Sequence, residues 1–111
     1  MKLSTMSKAE RSLLLFLESR AVDHGGLVAG SHMNADDFAM AKAWTEAGFI
    51  EFGRIPFDEI VGDSGNYVVL STDAWALAHE ERRARNARLM AARSAVYAAI
   101  ERRKERLHGP A

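Results

Sequence analysis

Residues 34–55, NADDFAMAKAWTEAGFIEFGRI, contain a complete helix start, a helix end and the beginning of a strand. Asn34 is a favourable N-cap residue, and Asp36 and Asp37 place negative charge beside the unpaired amides of the first turn. Gly48 is suited to end the helix because glycine accepts the left-handed backbone of a C-terminal cap. The aromatic and β-branched residues that follow are typical of a strand.

The helix predicted here, over about residues 35–47, has one apolar face. Phe38, Ala41 and Trp44 recur at helical spacing and are expected to face the protein interior. Phe38 also forms a hydrophobic staple with Met33, which precedes the cap. The opposite face then carries Asp36, Ala39, Ala43 and Glu46, flanked by Met40 and Lys42. That exposed face is expected to be acidic, with a single lysine.

Further elements are predicted on both sides of this stretch. Ser7 and Glu10 form the pattern of a capping box, which starts a first helix that Gly25-Gly26 ends. Residues 49–55 and 67–70 are predicted strands, joined by a hairpin connection. Ser71 is suited to cap a last helix that continues without a breaker to about Leu107. The fold class is therefore predicted to be α+β.

This order resembles the winged helix-turn-helix superfamily, most closely the small bacterial and phage regulators of the MarR and PadR kind. The likeness rests on WTEAGFI (Trp44–Ile50) and LSTDAW (Leu70–Trp75) and covers about residues 7–80. It implies a winged-helix domain over residues 1–72 with a two-stranded β wing. Residues 73–111 would form a long basic C-terminal helix for dimerisation or docking. Only Leu27–Met33 is available for the usual second helix, which is therefore expected to be shortened or missing.

Charge is distributed unevenly along the 111 residues, although the formal net charge is zero. Residues 1–78 contain six Lys/Arg and eleven Asp/Glu, whereas residues 79–111 contain nine Lys/Arg and four Asp/Glu. An acidic body followed by a basic tail indicates charged partners, which the net charge of zero does not reveal. The arginines of the last helix either contact phosphates or pair with neighbouring glutamates in a solvated helix.

The resemblance implies a DNA-binding transcription regulator in which residues 35–47 are the recognition helix. The expected DNA contacts are Lys42 and Arg54 in the core of the surface, Ser31, His32 and Asn34 near the helix start, and Lys8, Arg11, Arg82, Arg83 and Arg85 on phosphates. Carboxylates on the recognition helix and in the wing oppose the usual docking mode, because major-groove helices normally present cationic or amide side chains.

Two kinds of protein partner are also predicted. A narrow apolar stripe on the last helix would remain exposed unless it paired, so a homodimer is expected through Leu89, Ala92, Val96, Ile100 and Leu107. Alternatively, the basic helix of one copy docks on the acidic body of another. The alternative function is a phage-encoded modulator or adaptor that docks on a basic protein through Asp36, Met40, Glu46, Asp58 and Glu59.

Nothing in the sequence indicates catalysis, a metal site or a cofactor. The chain has no cysteine, and His24, His32, His79 and His108 have no metal-ligand spacing. Gly62-Asp63-Ser64-Gly65 matches part of a serine protease motif but is better explained as a turn. No segment resembles a signal peptide or a membrane span. We therefore expect a cytoplasmic protein that is not an enzyme and has no membrane partner.

Overall fold

The computed structural model describes residues 1–56 and 65–109, which belong to two compact units, Met1–Glu81 and Arg82–Ala111. The helices are α1 (Lys8–Asp23), α2 (Ala35–Glu46) and α3 (Thr72–His108). The strands are β1 (Leu27–Val28), β2 (Ile50–Arg54) and β3 (Asn66–Leu70), and short 3-10 turns lie at Leu3–Thr5 and Gly30–His32. The α+β class is confirmed.

Helix α1 starts and ends where its sequence signals predict. The Ser7 hydroxyl accepts from the Glu10 amide at 3.1 Å, and the Glu10 carboxylate accepts from the Ser7 amide at 3.1 Å. After the helix, Gly26 has a φ of 91°, and its carbonyl accepts a hydrogen bond from the Val68 amide of β3 at 2.9 Å. A Cβ on Gly26 would lie 2.7 Å from the Val68 carbonyl oxygen, so this close approach requires glycine.

Within residues 1–56 and 65–109 the sheet has three strands, whereas the sequence predicted two. Its order is β1-β3-β2 and both pairings are antiparallel. The additional strand, β1, pairs Leu27 with Tyr67 and Val28 with Asn66, and the Arg20 side chain donates to the Leu27 carbonyl at 2.6 Å. A strand of two residues is too short to show an alternating pattern. The expected remnant of a second helix is present only as the 3-10 turn Gly30–His32.

Helix α2 confirms its predicted cap and corrects its predicted buried face. Asn34 and Asp37 form a reciprocal capping box, with distances of 2.8 and 3.1 Å. Ala41 and Trp44 are buried, as expected, but Phe38 is 37 % exposed. The prediction of three inward-facing residues is therefore wrong for Phe38. That side chain lies in the first turn, beyond the main core.

The core of the unit Met1–Glu81 is formed by α1, α2, the inner face of the sheet and the start of α3. Trp44 contacts Phe49 edge to face, with ring centroids 5.4 Å apart, which packs the end of α2 on the start of β2. The buried hydrophobic side chains include Leu13, Leu14, Leu17, Val28, Ile50, Val68, Leu70, Ala74 and Leu77. Helix α3 begins with the Ser71 hydroxyl accepting from the Ala74 amide at 3.1 Å.

The sequence of elements, helix, short strand, helix, two strands and helix, is compatible with a winged-helix-like fold. Within the residues that the structure describes, no helix is both long enough and apolar enough to cross a membrane.

Candidate functional site

A groove between α2 and β2 forms a concave surface on the unit Met1–Glu81. We name it the α2–β2 groove, and its volume is about 590 Å³. It is lined by Phe38, Lys42, Thr45, Glu46, Phe52, Gly53, Arg54 and Asn66. One wall is therefore a single face of α2, and the other is the end of the β2–β3 ladder.

Thr45 fixes the distance between the two walls. Its hydroxyl donates to the Ala41 carbonyl at 2.8 Å and accepts from the Phe52 amide at 3.1 Å. Among the described residues β2 pairs with β3 alone, so it is an edge strand there, and Thr45 occupies one of its outward-facing donors. The groove therefore lies between α2 and the edge of β2, next to this hydrogen bond.

The inner surface of the groove is aromatic. The rings of Phe38 and Phe52 meet edge to face at a centroid distance of 5.9 Å. Phe52 is half-buried, while Phe38 keeps more than a third of its surface exposed. An exposed phenylalanine beside a concave surface is a frequent feature of binding sites.

Two of the predicted DNA contacts, Lys42 and Arg54, lie together in this groove. Both side chains are exposed, one on each wall, although twelve residues separate them in sequence. Glu46 lies one turn after Lys42 on the same wall. Asn66, which the sequence did not single out, also lines the groove, and its amide donates to the Gly53 carbonyl at 3.2 Å. The sequence placed Asn66 at the end of the predicted hairpin connection, a position that carried no functional signal.

The other predicted DNA contacts in this unit lie elsewhere. Ser31 and His32 are exposed in the 3-10 turn, and the His32 ring meets the edge of Phe16 at a centroid distance of 6.3 Å. His32 lines a second, smaller pocket of about 340 Å³ beside α1. The side chain of Asn34 is occupied by the α2 cap. These residues form a surface separate from the α2–β2 groove.

On α1, the two predicted phosphate contacts differ. Lys8 is exposed in the first turn. Arg11 is half-buried, and its Nε lies 4.0 Å from a carboxylate oxygen of Glu81, a residue that is only 1 % exposed. A buried carboxylate that lost its partner would be destabilising, so we interpret Arg11 first as a structural residue.

In the unit Arg82–Ala111, residues 82–108 are helical, mostly exposed and strongly basic. Residues 82–109 contain nine Lys/Arg and two Asp/Glu, and every one of these side chains is exposed. Arg82, Arg83 and Arg85 belong to this set. Lys104 pairs with Glu101 at 3.0 Å. The sequence prediction of a basic, accessible surface on this segment is consistent with these exposures.

The predicted dimer residues share one narrow stripe of the same helix. Leu89, Ala92, Val96, Ile100 and Leu107 are all exposed, and Leu107 is 81 % exposed. Met90 and Tyr97, which the sequence analysis did not include, are also exposed apolar residues next to the stripe. Their homodimer role remains a prediction.

Three of the five residues predicted to dock on a basic protein, Asp36, Met40 and Glu46, are among the described residues. Asp36 and Glu46 are exposed, whereas Met40 is half-buried and packs against the core. Asp58 and Glu59 lie outside the described residues, as does most of the Gly62-Asp63-Ser64-Gly65 sequence. Across residues 1–56 and 65–109, no three His, Asp or Glu side chains are grouped so that they could hold a metal ion.

On the outer face of the sheet, the pKa of Tyr67 is raised above its ordinary value. The Glu51 carboxylate raises the pKa of Tyr67, first through its negative charge, with further contributions from burial and from a hydrogen bond between the two side chains. The Tyr67 ring also covers Gly53, where a Cβ would lie 2.9 Å from a ring carbon. The pair stabilises the pairing of β2 with β3 and lies on the opposite sheet face from Phe52.

Comparison with known proteins adds no relative. No protein-family model, no curated protein and no solved structure matches this chain.

Proposed function

We propose that the chain is a small winged-helix-like DNA-binding protein, a transcription regulator of the MarR or PadR kind from a bacterium or phage, that acts as a homodimer. The observation that carries this proposal is the exposure of all nine cationic side chains in residues 82–106. The proposed dimer forms along the apolar stripe of that helix. The proposal locates the protein in the cytoplasm and requires no catalytic residue, metal or cofactor.

The basic helix is the proposed phosphate-contacting element. Residues 82–106 extend about 37 Å along the helix axis at 1.5 Å per residue, which is comparable to one turn of B-DNA. Cations along that length neutralise phosphates and release counterions, so affinity depends steeply on salt. If about four cations contact phosphates, the slope of log K against log salt is expected to be about −3.6.

In this proposal α2 makes fewer contacts with DNA than a recognition helix normally makes. Asp36 and Glu46 are exposed on it and would face a polyanion, with Lys42 as the only cation of α2. Base contacts, where they occur, would come from Ser31 and His32 in the 3-10 turn, whose hydroxyl and imidazole groups are accessible.

Fluorescence anisotropy with a labelled duplex of about 20 base pairs, measured between about 50 and 200 mM salt, tests the proposal. The triple variant Arg82→Gln, Arg83→Gln and Arg85→Gln is expected to make the salt slope less steep. Lys2→Gln, a charge removal at an exposed residue of the acidic unit, is the matched control and should leave the slope unchanged. Absence of binding at micromolar protein in low salt would refute the proposal.

A second function is favoured by the charge of the other unit. Residues 1–81 contain six Lys/Arg and thirteen Asp/Glu, a net charge of −7, and both Asp36 and Glu46 are exposed. This surface would dock on a basic protein partner through charge complementarity. Asp36→Lys should weaken that docking and should preserve or improve DNA binding. An Asp36→Lys variant that loses DNA affinity would contradict both assignments of this face.

A further inference from the structure

We propose that the α2–β2 groove binds a short extended peptide of a partner protein, in which an apolar side chain lies next to an Asp or Glu. This binding site is additional to the DNA-binding function, and it involves none of the cations of residues 82–106. The proposed peptide is acidic, whereas the partner proposed for the acidic α2 face is a basic protein.

The apolar side chain of the peptide would contact the aromatic pair. Phe38 is 37 % exposed and projects from an α2 surface that is otherwise alanine and charged residues. Phe52 supplies the inner side of the groove, 5.9 Å away. The groove volume of about 590 Å³ holds one large side chain together with its neighbouring backbone. Burial of an aromatic or aliphatic anchor in such a site is a frequent source of peptide affinity.

The acidic residue of the peptide would lie between Lys42 and Arg54. Lys42 is one helical turn after Phe38, and Arg54 is two residues after Phe52, so each aromatic wall has a cation beside it. Neither cation forms an ion pair within residues 1–56 and 65–109. Two cations that line the same groove as an aromatic pair favour a carboxylate attached to an apolar segment.

The β2 edge favours an extended backbone conformation for the occupant. The Phe52 amide points away from β3, toward α2, where Thr45 accepts it at 3.1 Å. Since backbone groups alternate along a strand, the amide and carbonyl of Arg54 face the same edge. An extended peptide would pair with the amide and carbonyl of Arg54 and direct alternate side chains into the groove, which is the mode of strand addition.

A peptide fits this site better than a nucleic acid does. The unit Met1–Glu81 has a net charge of −7, and Glu46 is itself part of the groove wall. A polyanion experiences this charge over a screening length of about 8 Å at physiological ionic strength. A peptide with one or two carboxylates interacts mainly with Lys42 and Arg54, so the attraction is local.

Peptide display on the full-length protein tests the proposal. A random dodecapeptide library is selected on the wild-type chain and, in parallel, on the double variant Lys42→Glu, Arg54→Glu. Peptides enriched only on the wild type should share an aromatic or large aliphatic residue next to Asp or Glu. A consensus rich in Lys and Arg, or equal enrichment on both proteins, would overturn the proposal.

The consensus peptide is then labelled, and its affinity is measured by fluorescence anisotropy. The double charge reversal is expected to weaken binding about tenfold, since exposed charge pairs each contribute modestly. Phe38→Ala should weaken it about tenfold through loss of the anchor contact. Lys8→Glu, at an exposed cation outside the groove, should have no effect. If oligothymidylate bound the groove with the same Lys42 dependence, the occupant would be a nucleic acid and the peptide assignment would be wrong.

A second measurement separates this proposal from the DNA-binding function. If residues 82–106 carry the phosphate contacts, the triple variant Arg82→Gln, Arg83→Gln and Arg85→Gln weakens duplex DNA binding and leaves the affinity for the consensus peptide unchanged. Loss of DNA binding in the arginine triple variant, with peptide affinity intact, would confirm that the sites are independent. Circular dichroism of each variant verifies that the fold persists, because Lys42, Arg54 and Phe38 all lie at the surface.

Discussion

Thr45→Val is a direct test of how α2 is attached to the sheet. Valine has nearly the shape of threonine, so the change removes the hydroxyl and little else. The Ala41 carbonyl keeps its helical hydrogen bond, but the Phe52 amide loses the acceptor that lies 3.1 Å from it. That donor is on an edge strand and would be covered by α2 without a partner.

The expected destabilisation follows from this single orphaned donor. An unsatisfied buried polar group raises the free energy of the folded state by about 1–3 kcal/mol. Thr45 is half-buried, so water reaches the site in part and the lower end, about 1–2 kcal/mol, applies. For a unit of this size, that corresponds to a decrease in Tm of about 4–16 °C.

Urea and thermal denaturation followed by circular dichroism measure the effect. Thr45→Ser, which keeps the hydroxyl, should retain most of the stability, and Thr72→Val, at an exposed position at the start of α3, is the matched control. If Thr45→Val were as stable as the wild type, the hydrogen bond would not be what holds the groove walls together. Thr45 would then not fix the distance between the two walls of the groove.

Two further predictions concern β3 and its neighbours. Gly26→Ala should destabilise the protein by about 2 kcal/mol or more, because the added Cβ would lie 2.7 Å from the Val68 carbonyl oxygen. Gly25→Ala is the control: its φ is also positive, but nothing lies within 4 Å of the added Cβ, so it should destabilise by about 1 kcal/mol. Equal losses of stability in urea denaturation would contradict this argument. Glu51→Gln should lower the pKa of Tyr67, measured by tyrosinate absorbance in a Tyr97→Phe background, and an unchanged titration would exclude the Glu51 interaction. Because the pKa of Tyr67 is raised in the folded state, its neutral phenol stabilises the fold below about pH 10. That stabilisation is lost as the pH rises through the folded-state pKa.

The features that were predictable from sequence are those set by neighbouring residues. The capping boxes of α1 and α2 each depend on residues three positions apart, so Ser7 and Asn34 were identified correctly as caps. The chain reversals at Gly25 and Gly48 were also predictable because few other residues adopt a positive φ. The strand β1 was not predictable, since two residues carry no periodic signal and its pairing depends on β3, about forty residues later.

The orientation of Phe38 shows why the groove itself was not visible in the sequence. Helical spacing places Phe38 on the same side as Ala41 and Trp44, and by that criterion it should be buried. In the folded chain its ring contacts Phe52, on the edge strand that is joined to α2 through the hydrogen bond of Thr45. How far a helix covers a strand is a tertiary property, and it determines whether an apolar side chain belongs to the core or to a binding surface.

The same tertiary placement changes what Lys42 and Arg54 are expected to bind. Considered singly, each is a cation in an acidic unit, and the winged-helix resemblance assigns both to DNA. Placed on facing walls of an aromatic groove, they favour an apolar ligand with a localised negative charge, because the net charge of −7 around them opposes an extended polyanion. The cations of residues 82–106 are not subject to this opposition within their own unit, where only Glu101 and Glu105 are acidic. The division of charge along the chain therefore favours two anion-binding surfaces with different partners, one for phosphates and one for a carboxylate beside an apolar side chain.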